Sequence, residues 1–173
     1  MSRHVALLRA VNVGGKNKVP MAELRDLFES LGHADVSTFI QSGNVIFSAT
    51  KSVTPKSLET AISKRFHVDT TVVLRTASEL EKVLKANPFA RVDTSKLHVG
   101  FMTRKPSAEV LAKLDTERFR PEDVAIHGRE LYLHLPNGMG RSKLPGYLDR
   151  QLKIPSTVRN WNTVTKLIEL ARG

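Results

Sequence analysis

VSTFIQSGNVIFS, Val36 to Ser48, is the stretch that decides the fold. Two short runs rich in β-branched and aromatic residues, Val36–Ile40 and Val45–Ser48, flank Gln41-Ser42-Gly43-Asn44. Gly-Asn between such runs is a hairpin signal, because both residues tolerate the left-handed backbone of a tight turn. Upstream, VALLRAV (Val5–Val11) reads as another strand. Met21, Leu24, Leu27, Phe28 and Leu31 then recur on one helical face between Pro20 and Gly32. Downstream, Thr54-Pro55 is a cap followed by proline at the first helical position, with Leu58, Ile62 and Phe66 facing inward. TVVLR (Thr71–Arg75) supplies a fourth strand. The order is β-α-β-β-α-β, the split βαβ unit of ferredoxin-like folds.

The pattern recurs. Thr76 and Glu79 have the spacing of a capping box for a connecting helix carrying Leu80, Val83 and Leu84, and Asn87 to Lys96 reads as loop. Leu97–Thr103 is a strand, Ser107–Arg118 a helix, and Asp123–His127 with Glu130–Leu135 a hairpin around Gly128-Arg129. Leu144–Leu152 is a helix, Ser156–Trp161 the last strand, and Val164, Leu167, Ile168 and Ala171 mark a C-terminal helix. The expectation is an α+β protein of two ferredoxin-like βαββαβ subdomains in tandem, with mainly antiparallel sheets. Residues 1–76 form the first subdomain, 77–96 the connecting helix and loop, and 97–173 the second subdomain with an added C-terminal helix.

This topology gathers the polar, glycine-bearing segments. Strands one and two of a split βαβ unit run parallel, so the loop after the first and the turn after the second share one end of the sheet. That places Gly14-Gly15-Lys16-Asn17-Lys18 beside Gln41-Ser42-Gly43-Asn44. In the second half, LPNGMGRSK (Leu135 to Lys143) and RNWN (Arg159 to Asn162) follow two strands that also run parallel. The expectation is that both ends line one basic, polar cleft between the subdomains.

Lys16, Lys18, Arg141, Lys143 and Arg159 are the candidate phosphate contacts, and Asn17, Gln41, Ser42, Asn44, Asn160 and Asn162 the groups that orient a ligand. Glycines allow close backbone approach, and a helix start attracts anions. Yet VGGKNK matches neither the Walker A loop nor the dinucleotide fingerprint, and strand-to-helix loops carry Gly and Asn for conformational reasons alone. QSGN is turn chemistry first; Ser42 lacks a nucleophile elbow. Trp161 suits base stacking beside Arg159, or a place in the core with Asn162 or Thr163 capping the helix.

Composition narrows the classes. The chain has 173 residues, no cysteine, a formal net charge of +10 and a pI near 10.2. Residues 1–50 hold five Lys/Arg against four Asp/Glu, whereas residues 137–173 hold seven against two. A basic surface favours polyanions. Thiol catalysis and disulfides are excluded, and no apolar run reaches the ~18 residues of a membrane span. The N-terminus lacks the marks of a signal peptide, so a cytoplasmic protein is expected. The six histidines form no H-x-H or H-E-x-x-H pattern, so neither a metal nor another cofactor is expected. No acid/base pair can be assigned to one pocket.

LLRAVNVGGKNKVPMAEL, TFIQSGNVIF and TVRNWNTVTKL resemble the signature blocks of the domain-of-unknown-function family 1697, and together span residues 7 to 167. The resemblance implies a small bacterial α+β protein built from ferredoxin-like subdomains. It carries no assigned active site, so the site residues rest on residue chemistry. The chain has Ala10-Val11 where the family commonly has Gly-Ile, and Phe39 where it commonly has Tyr. An alanine at position 10 argues against a glycine-only backbone conformation there. The expected function is a binding module for nucleic acid or a nucleotide. The alternatives are an enzyme acting on a small phosphorylated substrate and an interaction protein that dimerises through a sheet.

Overall fold

The computed structural model describes residues 2–173. The elements run β1 (Ser2–Leu8), α1 (Met21–Ser30), β2 (Ala34–Thr38), β3 (Asn44–Ala49), α2 (Pro55–Phe66), β4 (Val72–Thr76) and α3 (Ala77–Lys85). They continue with β5 (Leu97–Met102), α4 (Ala108–Ala112), β6 (Asp123–His127), β7 (Glu130–His134), α5 (Leu144–Leu152), β8 (Ser156–Asn160) and α6 (Trp161–Ala171). Two four-stranded sheets result, ordered β2-β3-β1-β4 and β6-β7-β5-β8, and every neighbouring pair is antiparallel. Each sheet has the strand order of one βαββαβ repeat. By compactness the chain divides into Met1–Lys82 with Lys166–Gly173, and Val83–Thr165.

In the first unit, β1 is a central strand, and Val5, Ala6, Leu7 and Leu8 are all buried. A central strand covered on both faces loses the apolar–polar alternation, which is why VALL is continuous. Leu24 and Phe28 of α1 and Leu58 and Ile62 of α2 pack on Ala6, Leu8, Val45 and Phe47. The Phe28 and Phe47 rings meet edge-on, 5.1 Å between centroids, and His33 lies 4.8 Å from Phe47. Helix α2 starts on the expected Thr54 cap, with Thr54 Oγ1 accepting from Ser57 N. The final turn of α6 is fixed in this unit by Arg3 Nη2 donating to Leu170 O and by Arg172 paired with Glu81.

The second unit repeats the first in register. His4, Val5 and Ala6 of β1 face Thr76, Arg75 and Leu74; His98, Val99 and Gly100 of β5 face Asn160, Arg159 and Val158. Each fourth strand thus ends on a buried arginine and then a helix-capping residue. Thr76 and Glu79 form the expected box for α3, and Asn160 Oδ1 accepts from Thr163 N to cap α6. The second core gathers Leu131, Leu133, Leu135, Leu144, Tyr147, Leu148 and Leu152. Helix α4 is shorter than the expected Ser107–Arg118. It stops at Ala112, and Asp115 N donates instead to Tyr147 Oη of α5, 2.8 Å away.

Buried His33 and half-buried His98 tie stability to pH. His33 is 7% exposed, and its Nδ1 has no hydrogen-bond partner. Burial, then the charges of Lys51 and His4, hold its pKa below the usual imidazole value. Burial likewise lowers the pKa of His98, against a backbone hydrogen bond at Lys96. Below about pH 6.5 the unfolded chain therefore binds more protons than the folded one. Stability is complete above that pH and falls as pH drops from there towards the folded values. Urea unfolding at pH 5 should give a lower midpoint than at pH 7.5, and His33→Phe, which keeps the ring packing, should reduce the difference.

Candidate functional site

The loop between β1 and α1 and the turn between β2 and β3 meet at one end of the first sheet. Leu8 N donates to Gly43 O (2.9 Å), and the Asn12 carboxamide joins the two segments. Its Nδ2 donates to Gln41 O (2.8 Å) and Val19 O (2.9 Å), while its Oδ1 accepts from Val19 N (2.7 Å). Gly43 is required there: at φ 86, a Cβ would lie 2.7 Å from Val11 Cγ2 and 2.8 Å from Leu8 Cβ.

Within the loop, Val13-Gly14-Gly15-Lys16 is a tight turn closed by Lys16 N to Val13 O (3.0 Å). Gly14 and Gly15 have φ 60 and 73, the two positive values of a type I′ turn, and a Cβ on either would meet nothing. The glycines therefore serve the turn's dihedrals. Helix α1 begins only at Met21, behind buried Val19 and the non-capping Pro20. The left-handed residues also include Ala10, Asn12 and Asn17, at φ 56, 56 and 52. Position 10 is thus left-handed despite its alanine, in a region that non-glycine residues reach at a cost. Thr70 Oγ1 and Asn17 Nδ2 hold the carbonyls of Arg9 and Ala10 in place.

At this end Arg9, Lys16, Asn17, Lys18 and Gln41 are exposed. Segments 9–20 and 39–43 contain three cations and no carboxylate, and no acid pairs with Lys16 or Lys18 among the described residues. Ser42 and Asn44 serve the turn. Asn44 is fully buried, and its Nδ2 donates to Phe39 O (2.8 Å) and Ser42 Oγ (3.0 Å). Val13 and Ile40, 63% and 47% exposed, complete the surface.

The second sheet has a comparable end. His134 and Asn160 pair with adjacent residues of β5, so residues 135–143 and 160–162 leave from the same end of the sheet. Arg141 and Lys143 are exposed on a segment without carboxylates, and Ser142 Oγ accepts from Leu144 N at the start of α5. Asn160 and Asn162 are exposed, the former engaged in capping α6. Arg159 is withdrawn from this surface. It is 7% exposed, and its Nη1 donates to Thr157 Oγ1 (2.6 Å) and Val158 O (3.1 Å). Burial pushes its pKa down to about 10. Trp161 is also buried. Elsewhere a depression of about 390 Å³ runs along α2, where Lys56, Glu59, Lys64 and Asp69 mix both signs of charge. Among the described residues no three His, Cys, Asp or Glu stand together as a metal site, and no helix is long and apolar enough to cross a membrane.

The fold and these two ends define a tandem-repeat α+β protein whose unusual residues cluster in strand-end loops. The chain belongs to the family described as protein of unknown function (DUF1697), whose model matches residues 1–132. The match contains the loop and the QSGN turn and stops before TVRNWNTVTKL. Among solved structures, the conserved bacterial protein SP0830 from Streptococcus pneumoniae is similar at 26% identity and a TM-score of 0.78, covering 98% of each chain. No curated protein matches the sequence.

The strained positions make a stability test of this end. A non-glycine residue in the left-handed region costs about 1 kcal/mol or more, so Ala10→Gly should raise the unfolding free energy by roughly 1 kcal/mol. Gly43→Ala adds a steric clash to the same penalty and should cost about 3 kcal/mol. Gly15→Ala, with open space around it, should cost only about 1 kcal/mol. Denaturant unfolding of the three variants measures the order.

Proposed function

We propose that this chain is a nucleic-acid-binding module that contacts the phosphate backbone through its two basic strand-end segments, which hold no carboxylate of their own. The observation that supports this reading is the exposure of Arg9, Lys16, Lys18, Arg141 and Lys143 on segments holding no acid. Such surfaces attract a polyanion by releasing its counterions. A polyanion is favoured over a single nucleotide because the cations stand on exposed turn tips and the Gly-Gly pair is used for a turn. Asn17, Gln41, Asn160 and Asn162 are exposed beside these cations and add neutral hydrogen bonds to phosphate or sugar oxygens. Trp161 offers no stacking platform, so recognition is of the backbone, with little base preference. The reading suits a cytoplasmic protein.

Fluorescence anisotropy with a labelled single-stranded oligonucleotide tests it. Affinity should fall steeply between 50 and 200 mM salt, and the log–log slope should flatten by about 0.7 for each phosphate that a variant no longer neutralises. Lys16→Ala/Lys18→Ala should therefore lower the slope by about 1.4, whereas Lys82→Ala on α3 should leave it unchanged. Salt-independent binding, or none at low salt, contradicts the proposal.

A further inference from the structure

We infer that β6 is the edge at which a second copy of this chain adds to the sheet, joining two β6-β7-β5-β8 sheets across a two-fold axis at Ala125. Four strands lie at sheet edges: β2, β4, β6 and β8. Three are unsuited to accept another strand. β2 is broken by a register shift between Ala34 and Ser37, with Asp35 at φ 50 and its carbonyl taken by Arg3. β4 is buried along Val72, Val73 and Arg75, and β8 along Ser156, Thr157 and Arg159. β6 pairs with β7 through five residues without a bulge, contains no proline or lysine, and is half-buried to exposed along its length. Natural edges usually carry such protection, so a regular edge without it is a docking edge.

The geometry of the hairpin fixes which groups face outward. His127 and Glu130 flank the two-residue turn Gly128-Arg129, with Gly128 at φ 58, so they form a hydrogen-bonded pair. Alternation then directs the backbone N–H and C=O groups of Asp123, Ala125 and His127 to β7, and those of Val124 and Ile126 away from it. Val124 N accordingly donates to the Asp123 carboxylate (2.9 Å), outside the ladder. An antiparallel second copy centred on Ala125 sets Val124 against Ile126 of that copy, the two residues with outward backbone groups. The small Ala125 meets itself at the close, non-hydrogen-bonded position.

The side chains obey the same symmetry. Asp123, which pairs with Arg120 of its own chain (3.4 Å), comes opposite His127 of the second copy, and the reverse, so each acid also meets an imidazole. His127 is already oriented by its edge-on contact with Tyr132, 5.8 Å between centroids. On the other face Val124 and Ile126, partly buried against the core, would cover one another. Two five-residue edges bury less than the ~1,000 Å² of a stable complex, so the dimer is concentration-dependent.

Sedimentation of the full chain tests the inference. The wild type should pass from 19.3 kDa monomer to dimer as concentration rises. His127→Asp sets like charges opposite one another and should weaken the dimer about tenfold. Asp123→His/His127→Asp restores the opposition and should recover most of that affinity, and Ala125→Glu, placing two carboxylates on the axis, should abolish dimerisation. Melting curves verify that each variant folds. A wild type that is monomeric throughout, or a dimer unchanged in folded Ala125→Glu, overturns the inference. This test is independent of oligonucleotide binding, so either proposal can fail alone.

Discussion

The Asn12 carboxamide is the joint on which the candidate site depends. It makes three hydrogen bonds, two with Val19 and one with Gln41 O. They convert a twelve-residue loop and a separate hairpin turn into one surface. Each neutral hydrogen bond contributes only about 1 kcal/mol net, but removing one in a part-buried place leaves a carbonyl or N–H unpaired. The left-handed residues on either side follow from this closure. A chain that turns within residues 9–17 to bring Asn12 against Val19 and Gln41 has to reverse sharply, and asparagine and glycine are the residues that do so at least cost. The lysines sit on the resulting tips. Their exposure is a consequence of the turn geometry beneath them.

The two buried arginines show how a repeat can be deep while its sequence looks unrelated. Arg75 and Arg159 occupy the same register against Val5 and Val99, and each donates Nη1 to the carbonyl of the residue before it. A buried guanidinium is costly unless its donors are satisfied, so the surrounding backbone has to be organised around it. The sequence places both arginines just before a helix start, at Thr76 and at Asn160. There Arg159 looks like a ligand-binding group, and only the fold reveals that both side chains are buried.

What was legible in the sequence was local. The QSGN and Gly128-Arg129 turns, the Thr54 cap and the Thr76–Glu79 box are decided within four residues, and each appears where its chemistry requires. The strand order followed from these elements and the parallel-crossover rule, which also put the VGGK turn next to QSGN. What was illegible depends on distant partners. Helix α4 ends early because a tyrosine more than thirty residues away takes a backbone N–H. Ala10 adopts a glycine-like conformation because Thr70 and Asn17 hold the carbonyls around it. Asn44 and Arg159 have the side chains of ligand-binding groups, but neighbouring carbonyls and hydroxyls consume their donors. Topology put the VGGK loop and the QSGN turn at one end of the sheet, while the division of their residues into those facing out and those facing in required the packing.

The exposed cations of the strand-end turns, on this account, form the contact surface for a polyanion. Chemical-shift mapping of the isotope-labelled protein with a short single-stranded oligonucleotide at low salt addresses this most directly. The account predicts that perturbed amides concentrate in residues 9–18, 39–43 and 135–143, and that the shifts reverse as salt is added. Perturbations centred on another surface, such as the mixed-charge face of α2, or no perturbation at low salt, would contradict it.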